Sequence, residues 1–249
     1  VGGIAGVIPA RWGSTRFPGK SLALISGKPM IQWVVERVKL ARKLDTVIVA
    51  TDDPRIADCV QALALPEVQI AMTRADHPTG TDRIAEAVAS MDLDAVINVQ
   101  GDEPLIDPEL IDELADVIST GVWDMATAAA PIDDAGQIND PSVVKALFNR
   151  HGQALYFSRA AIPHIREPAD TSTAGVYWRH IGIYAYRRDY LLKLVNEPPC
   201  DLENLEKLEQ LRALDMGCRM KVIKTQDFGI GVDTPADVAK AEALLAQLK

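Results

Sequence analysis

Cysteine is scarce: Cys59, Cys200 and Cys218 are odd in number, widely spaced and without a Cys-x-x-Cys pair. That argues against a disulfide framework or a structural zinc site, and the three are read as reduced packing residues. Histidine is equally sparse. His77, His151, His164 and His180 show neither His-x-His nor His-Glu-x-x-His spacing, so no local segment presents a histidine-ligated metal. No apolar run approaches the roughly 20 residues that cross a bilayer, and no membrane span is expected. Nor does the chain open on a basic stretch followed by an apolar one, which makes a cytoplasmic location the expectation. Basic charge is in deficit: 26 Lys and Arg stand against 35 Asp and Glu, a net charge of −9. Such a surface disfavours the phosphate backbone of nucleic acids as a partner. There is no internal repeat and no low-complexity segment.

The acids are themselves missing from one place. The first of them is Glu36, where an even spread would put about five before it. Arg11, Arg16, Lys20 and Lys28 occupy that acid-free region, so a small phosphorylated ligand remains possible in an otherwise acidic protein. With 249 residues, 48% of them hydrophobic, the chain can bury roughly three-quarters of its unfolded surface in one large α/β unit or two small ones.

Apolar runs and periodicity set out the elements. Ile4 to Pro9 reads as a buried strand. Pro29 to Lys43 reads as a helix, with Ile31, Val34, Val35 and Val38 on one stripe. Val47 to Ala50 and Val68 to Met72 are strands around a helix from Pro54 to Ala64. After a loop, Thr73 to Thr79, a helix runs from Gly80 to Met91, then a strand from Ala95 to Val99 and a helix from Pro108 to Ser119. This alternation predicts a mainly parallel sheet with helices on both faces. From about residue 124 to 190 the pattern loosens into short strands (Met125 to Ala130, Val143 to Phe148, Leu155 to Phe157, His180 to Tyr186), expected as a small, partly antiparallel insertion. Glu167 to Val176, rich in turn residues, is expected to be its mobile loop. Leu202, Leu205, Leu208 and Leu211 predict one helix from Asp201 to about Met216, capped by Gly217. A strand, Met220 to Ile223, and a helix, Pro235 to Leu248, close the chain.

Ligands of open α/β sheets sit beyond the carboxyl ends of the strands, and the loop from Ala10 to Lys20 leaves such an end. Gly13 and Gly19 allow close backbone approach, Ser14 and Thr15 bring hydroxyls, and Arg11, Arg16 and Lys20 bring three cations, a set that suits a triphosphate. Five residues between the glycines, and Pro18 without an N–H, exclude a Walker loop. The absence of Gly-x-Gly-x-x-Gly after the first strand disfavours a dinucleotide. Asn98 to Leu105 has the same placement, with Asp102 just past a strand. A lone Asp there would repel phosphates, so a functional Asp102 implies a bridging divalent cation, most simply Mg²⁺. Gly231-Val232-Asp233-Thr234-Pro235 offers a second carboxylate, but Asp or Thr before Pro also reads as an ordinary helix cap. The two-residue strand period puts His180 and Tyr184 on one face and Ile181, Ile183 and Ala185 on the other. Such a polar face could hold a hydroxylated acceptor or simply meet solvent. Arg83 and Arg159 could bind anions or only neighbouring acids, while Glu209, Gln210 and Arg212 lie off the leucine stripe, where a charged helix face is usually just solvated.

Taken together and in order, Ile8-Pro9-Ala10-Arg11, Ser14-Thr15-Arg16, Pro18-Gly19-Lys20, Gly80-Thr81-Asp82-Arg83, Asn98 to Pro104, His180-Ile181-Gly182-Ile183-Tyr184, Leu208 to Arg212 and Gly231 to Pro235 resemble the 3-deoxy-D-manno-octulosonate (Kdo) cytidylyltransferase family. The likeness spans nearly the whole chain. It implies a single three-layer α/β/α Rossmann-like nucleotidyltransferase domain, with residues 124 to 190 as an acceptor-binding and dimerisation insertion. It also implies transfer of CMP from CTP to the anomeric 2-hydroxyl of an acidic eight-carbon sugar, for lipopolysaccharide synthesis, with Mg²⁺ and a homodimer. By the resemblance, Arg11, Ser14, Arg16 and Lys20 grip the triphosphate. Arg74, Gly80, Thr81 and Arg83 help hold the nucleoside, with Ala10 and Gln100 beside them, and Asp102 and Asp233 bind metal. Arg159, His180, Tyr184, Glu209 and Gln210 form the acceptor site. Lys20, Asp102, Asp233 and Arg11 are thereby the expected catalytic set, and alignment and charge neutralisation make a covalent nucleophile unnecessary.

The chain departs from the family pattern at Trp12, where a smaller aromatic is usual, at Ser21 in place of a proline, and at Ala62 to Pro66 in place of a glycine-rich turn. None touches an expected ligand, but they leave the sugar open among Kdo, its 8-amino relative and a sialic acid. A sugar-1-phosphate nucleotidyltransferase usually opens on Gly-x-Gly-Thr-Arg and a glycosyltransferase on Asp-x-Asp; here stand Ala-Arg-Trp-Gly-Ser-Thr-Arg and Gly-Asp-Glu. A silent nucleotide-binding scaffold should have lost a cation or an aspartate from the set, and none is lost.

Overall fold

The computed structural model describes residues 2–13, 17–167, 175–226, 229 and 231–247. Strand β1 (Gly3–Ala10) pairs in parallel with β4 (Thr46–Thr51) on one side and β6 (Leu93–Asn98) on the other. β5 (Val68–Met72) then adds to β4. Beyond β6 the sheet turns mixed: β10 (Trp178–Arg187) runs antiparallel to β6 and to β7 (Met125–Pro131), and β11 (Met220–Lys224) closes the edge parallel to β7. The order is β11-β7-β10-β6-β1-β4-β5, with β8 (Lys145–Phe148) and β9 (Ala154–Ser158) branching from β10 as an antiparallel pair. The fold is thus the expected α/β/α layering, with the antiparallel strands clustered in the region set apart by its sequence pattern.

Alternation along the strands builds two cores. Ile8, Val47, Val49, Ile97, Ile181, Ile183 and Ala185 face one side. There they meet α1 (Met30–Val38), α2 (Pro54–Gln61) and α4 (Pro108–Ser119) through Val34, Val38, Ile56, Leu110 and Leu114. Ala5, Val7, Ile48, Val96, Met125, Tyr186 and Val222 face the other, under α3 (Gly80–Val88), α6 (Arg188–Leu194) and α8 (Gln210–Asp215). A third, small cluster joins Ile25, Met30 and Val232 to Ala241 and Leu245 of α9 (Pro235–Gln247). It sits against a hairpin, β2 (Leu24–Ile25) and β3 (Lys28–Pro29), whose two turn residues Ser26 and Gly27 both have positive φ, 49° and 79°. Positive φ at both central positions matches the right-handed strand twist, and this hairpin was not evident from the sequence pattern. A short helix, α5 (Ala135–Ile138), was likewise unexpected. Among the described residues no helix is long and apolar enough to cross a membrane.

Four helices end earlier than their periodicity predicts, and α2 among them stops at Gln61 rather than Ala64. α1 stops at Val38 rather than Lys43 because the N–H groups of Arg42 and Lys43 donate to Asp112 Oδ1 of α4, at 2.8 and 2.9 Å, instead of continuing the helix. α3 stops at Val88 rather than Met91, where the Arg188 guanidinium caps the carbonyl oxygens of Val88 and Ala89. The single helix expected over Asp201 to Met216 is two: α7 (Asp201–Glu206) and α8, broken at Lys207, which lies in the left-handed region with φ 54°. The leucine stripe misled because Leu202 and Leu205 are exposed, while Leu208 and Leu211 are buried. Gly217, φ 77°, ends α8 as expected. The three cysteines are free thiols; Cys218 is buried, and Cys200 Sγ accepts from Glu203 N to cap α7.

Candidate active site

Among the segments that follow β1, β5 and β6 lies a cavity of about 300 Å³, lined by Pro9, Ala10, Arg11, Lys20, His77, Thr79, Gly80, Arg83, Gln100, Asp102 and Asp233 among others. Lys20 enters on a short 3-10 turn, Lys20–Leu22, that follows Gly19 with φ 67°. Asp102 is carried there by the turn after β6. The chain passes so close to β1 that a Cβ at Gly101 would lie 2.6 Å from the Pro9 carbonyl oxygen, a contact only glycine avoids. Val232 N donates to the Asp102 carbonyl at 2.8 Å, which ties the segment before α9 to the same turn.

Lys20 Nζ donates to Asp102 Oδ2 at 2.5 Å and to Asp233 Oδ1 at 3.1 Å. Three residues far apart in sequence therefore converge on one point. Beside it, Asp237 Oδ2 accepts from Thr234 N, Thr234 Oγ1 and Asp233 N at 3.0, 2.8 and 3.3 Å. Bonds from Lys240 and Thr234 hold the Asp237 carboxyl down at about 2. Asp237 thus reaches back to the Thr234 N–H as the second half of a capping box does, while the Asp233 carboxylate meets Lys20.

The opposite wall is the start of α3. Thr79 Oγ1 accepts from Asp82 N at 3.2 Å and donates to Asp82 Oδ2 at 2.7 Å, leaving Gly80 at the helix N-terminus facing the cavity. Such an end attracts anions. Arg83, buried, donates from Nη1 to Thr73 Oγ1 at 2.5 Å and lies 3.4 Å from Asp52 Oδ1. Arg11 is exposed on the cavity rim. Gln100 Nε2 donates to the buried Asn98 Oδ1 at 3.1 Å. Arg74 is 68% exposed, turned toward Asp76 and Glu86, and lies outside the cavity lining. Ser14 and Arg16 lie outside the described residues, as does most of the loop from Glu167 to Val176. Sequence reasoning missed His77, which lines the cavity and contacts Glu86, and Asp52, which supports Arg83.

The expected acceptor residues gather on β10 and the α7–α8 junction. His180, Tyr184 and Tyr186 form one row of rings, with centroids 5.4 and 5.9 Å apart, and Phe157 meets His180 edge-on at 4.9 Å. Burial lowers the His180 imidazole to about 3, so the ring is neutral. Burial, and then the Glu209 charge, push the Tyr184 phenol up. Burial also raises the Glu209 carboxyl, against the lowering influence of the Thr81 and Thr79 hydroxyls and Arg212. Thr81 also meets the Tyr186 hydroxyl, as does Asn98, so a polar path links Glu209 to the Gln100 side of the first cavity. A second cavity of about 650 Å³, bordered by Glu103, Arg179, His180, Gly182 and Asp237, shares Asp233 with the first. Of the expected acceptor residues only His180 borders a cavity; Tyr184, Glu209, Arg159 and Gln210 lie outside both linings. Arg159 Nε and Nη1 donate to the carbonyls of Glu206 and Pro141, and Gln210 is buried at the start of α8.

The sequence profile of the cytidylyltransferase family matches residues 5–222. A 3-deoxy-manno-octulosonate cytidylyltransferase of Syntrophotalea carbinolica is 51% identical over 252 residues, covering 98% of this chain and 99% of that protein. The chain belongs to the 3-deoxy-manno-octulosonate cytidylyltransferase family. An 8-amino-3,8-dideoxy-manno-octulosonate cytidylyltransferase of Shewanella pealeana is 50% identical over 245 residues, 96% of this chain and 97% of that one. A solved structure of CMP:2-keto-3-deoxy-manno-octonic acid synthetase complexed with CTP superposes with a TM-score of 0.92 at 42% identity, over 99% of this chain and 100% of that chain. The fold extends more widely: 4-diphosphocytidyl-2C-methyl-D-erythritol synthase shares it with a TM-score of 0.66 at 15% identity. As a cytidylyltransferase, the chain carries its cavity where members of this fold place ligands, at the strand ends.

Proposed function

We propose that this cytidylyltransferase joins CMP from CTP to the anomeric 2-hydroxyl of 3-deoxy-manno-octulosonate, releasing pyrophosphate, and that it needs Mg²⁺. The observation that carries this reading is the convergence of Lys20, Asp102 and Asp233 at the floor of the first cavity. The donor set fits the ion: two carboxylates supply hard oxygens, and Mg²⁺ is commonly held by one or two carboxylates together with substrate phosphates. Among the described residues no cluster of three His, Cys, Asp or Glu stands ready as a complete cage. When bound there, Mg²⁺ would neutralise phosphate charge and lower the pKa of a coordinated hydroxyl.

The protein's own part is alignment. Arg11, Lys20 and the α3 N-terminus, with Ser14 and Arg16 from the same loop, hold the triphosphate. Gly80, Thr81, Arg83, Gln100 and Ala10 border the nucleoside, with Arg74 at its outer edge. His180, Tyr184 and Glu209 receive the sugar, backed by Arg159 and Gln210. The sugar oxygen then attacks the α-phosphorus, the bond to pyrophosphate breaks, and the hydroxyl proton passes to solvent. Positioning of this kind supplies most of the acceleration in phosphoryl transfer. Residues 124 to 190 are assigned to sugar binding and to a homodimer contact, and the enzyme to the cytoplasm, where a charged nucleotide sugar for lipopolysaccharide would be made. The test is pyrophosphate release from CTP and Mg²⁺ with Kdo, its 8-amino analogue or N-acetylneuraminate offered separately. Release with Kdo supports the reading, and no release with any of the three overturns it.

A further inference from the structure

Thr127 lies in the middle of β7, fully buried, opposite the irregular stretch of β10 where the register shifts between Ile181 and Tyr184. Its Oγ1 has three polar neighbours: the carbonyl oxygens of Ile183 at 2.8 Å and Ile181 at 3.2 Å, and His180 Nε2 at 2.9 Å. A hydroxyl has one proton to give. Two carbonyl oxygens at those distances can only accept, so the Thr127 proton lies on their side, and the hydroxyl oxygen has only lone pairs left for the imidazole. His180 Nε2 must then be the donor. Thr127 thereby holds two carbonyls of the stretch where the register shifts.

We infer that Thr127 fixes the Nε2–H tautomer of His180, leaving Nδ1 as a hydrogen-bond acceptor, so that the ring selects a group with a hydrogen to donate. Phe157 packs edge-on against one part of the ring and Tyr184 against another, which keeps the imidazole from turning over. A neutral imidazole with its acceptor nitrogen outward takes a hydroxyl or an ammonium and repels a carboxylate. The consequence for recognition rests on the proposed sugar site: His180 would accept from a sugar hydroxyl, and the sugar carboxylate must be met by cations elsewhere. Thr127 is in this sense a positioning residue, acting through His180 rather than on the sugar.

The experiment uses the full-length protein with ¹⁵N-labelled histidine, and the His180 signals are assigned by their loss in His180→Gln. The expected spectrum at neutral pH shows a protonated Nε2 and a bare Nδ1, and addition of Kdo shifts Nδ1 as it accepts a hydrogen bond. A protonated Nδ1, or an imidazolium, overturns the assignment. Thr127→Ser should keep the tautomer and the KM for Kdo. Thr127→Val should lose the single tautomer and raise that KM about tenfold, with the KM for CTP within twofold of wild type. An altered tautomer with an unchanged KM for Kdo refutes the selection role. If Thr127→Val does not fold, the wild-type and Thr127→Ser spectra still decide the tautomer. A wild-type Nε2–H tautomer in a protein that releases no pyrophosphate with any ulosonic acid would count against the sugar reading and leave the tautomer standing.

Discussion

Replacing Asp102 by Asn keeps the volume and shape of the side chain and removes one formal charge from the point where Lys20 and Asp233 meet. Two consequences can be separated by size. The Asp102 side chain is 26% exposed and meets Lys20 Nζ at 2.5 Å. A solvated ion pair of this kind contributes about 0–1 kcal/mol to folding. The main-chain tie from Val232 N to the residue-102 carbonyl survives the substitution. In a chain of this length about 1 kcal/mol moves the melting point by roughly 2–4 °C, so Tm should stay within about 4 °C of wild type. Turnover should fall far more. Loss of one oriented charged group at a phosphoryl centre costs about 3–4 kcal/mol, or roughly 10²- to 10³-fold in kcat. Thermal unfolding and pyrophosphate release, measured on the same preparation across a Mg²⁺ titration, distinguish the two effects. A rate near that of wild type would remove Asp102 from the metal site. A Tm lowered by more than about 10 °C would make the residue structural.

Three further outcomes follow from the same geometry. The His180 imidazole lies at about 3 in the fold, against about 6.5 in the unfolded chain. Between those values only the unfolded chain takes up the proton, and stability falls as pH drops through the window. From pH 6.5 to 4.5 this costs about 2 kcal/mol. His180→Gln should lack that loss in urea unfolding, and equal pH dependence in both proteins would remove His180 as its source. Arg55 lies 3.3 Å over the Trp12 ring and is held there by Asp53 at 2.6 and 2.8 Å, while a Cβ at Gly19 would meet that indole at 2.9 Å. Arg55→Ala should therefore loosen the segment that ends in Lys20 and raise KM for CTP a few-fold at constant kcat; an unchanged KM would dismiss the stack as ornament. Gly101→Ala forces a backbone contact of 2.6 Å and should cost about 1–3 kcal/mol, a fall in Tm of roughly 3–10 °C. Activity should drop with it, and unaltered melting would mean that the turn yields freely.

Much of the central sheet could be read from apolar runs, because β1, β4 and β6 each bury both faces or nearly so, and a parallel strand of that kind is a continuous hydrophobic stretch. Helix ends could not be read so well. The stops at Val38 and Val88 depend on Asp112 and Arg188, residues 70 or more positions away, and periodicity carries no trace of them. In the site, Lys20 and Asp102 were legible because each lies in a loop that leaves the carboxyl end of a strand, where a ligand is expected. Asp233 was left open between ligand and cap, although the Thr234-x-x-Asp237 spacing was a capping-box signature that could have assigned the cap to Thr234 and Asp237. His77 and Asp52 had no such signal. His77 sits in a loop whose path is set by α3, and Asp52 matters only because Arg83 is folded onto it. Trp12 stands out in the sequence only by its size, since its partner Arg55 lies on α2 and no spacing connects them.

The site's accuracy rests on a small packed cluster outside the cavity lining. Lys20 and Asp102 are 82 residues apart, Lys20 and Asp233 213 apart, and yet one ammonium reaches both carboxylates. Two constraints make this possible. The Val232 N–H bond to the Asp102 carbonyl fixes one aspartate relative to the other. The cluster of Ile25, Met30, Val232, Ala241 and Leu245 then fixes α9 against the hairpin that begins just after Lys20, and Glu242 Oε1 accepts from Ser26 N at 2.6 Å across the same contact. Lys20 and Asp233 are therefore placed by opposite sides of one packed cluster, and Asp102 by the turn that Gly101 presses against Pro9. Because a core is close-packed and transmits displacement rather than absorbing it, a cavity opened at Val232 or Leu245 would move the lysine and the aspartate relative to each other. Phosphoryl transfer is sensitive to shifts of about 1 Å, so such a change would reduce turnover beyond what its cost in stability implies.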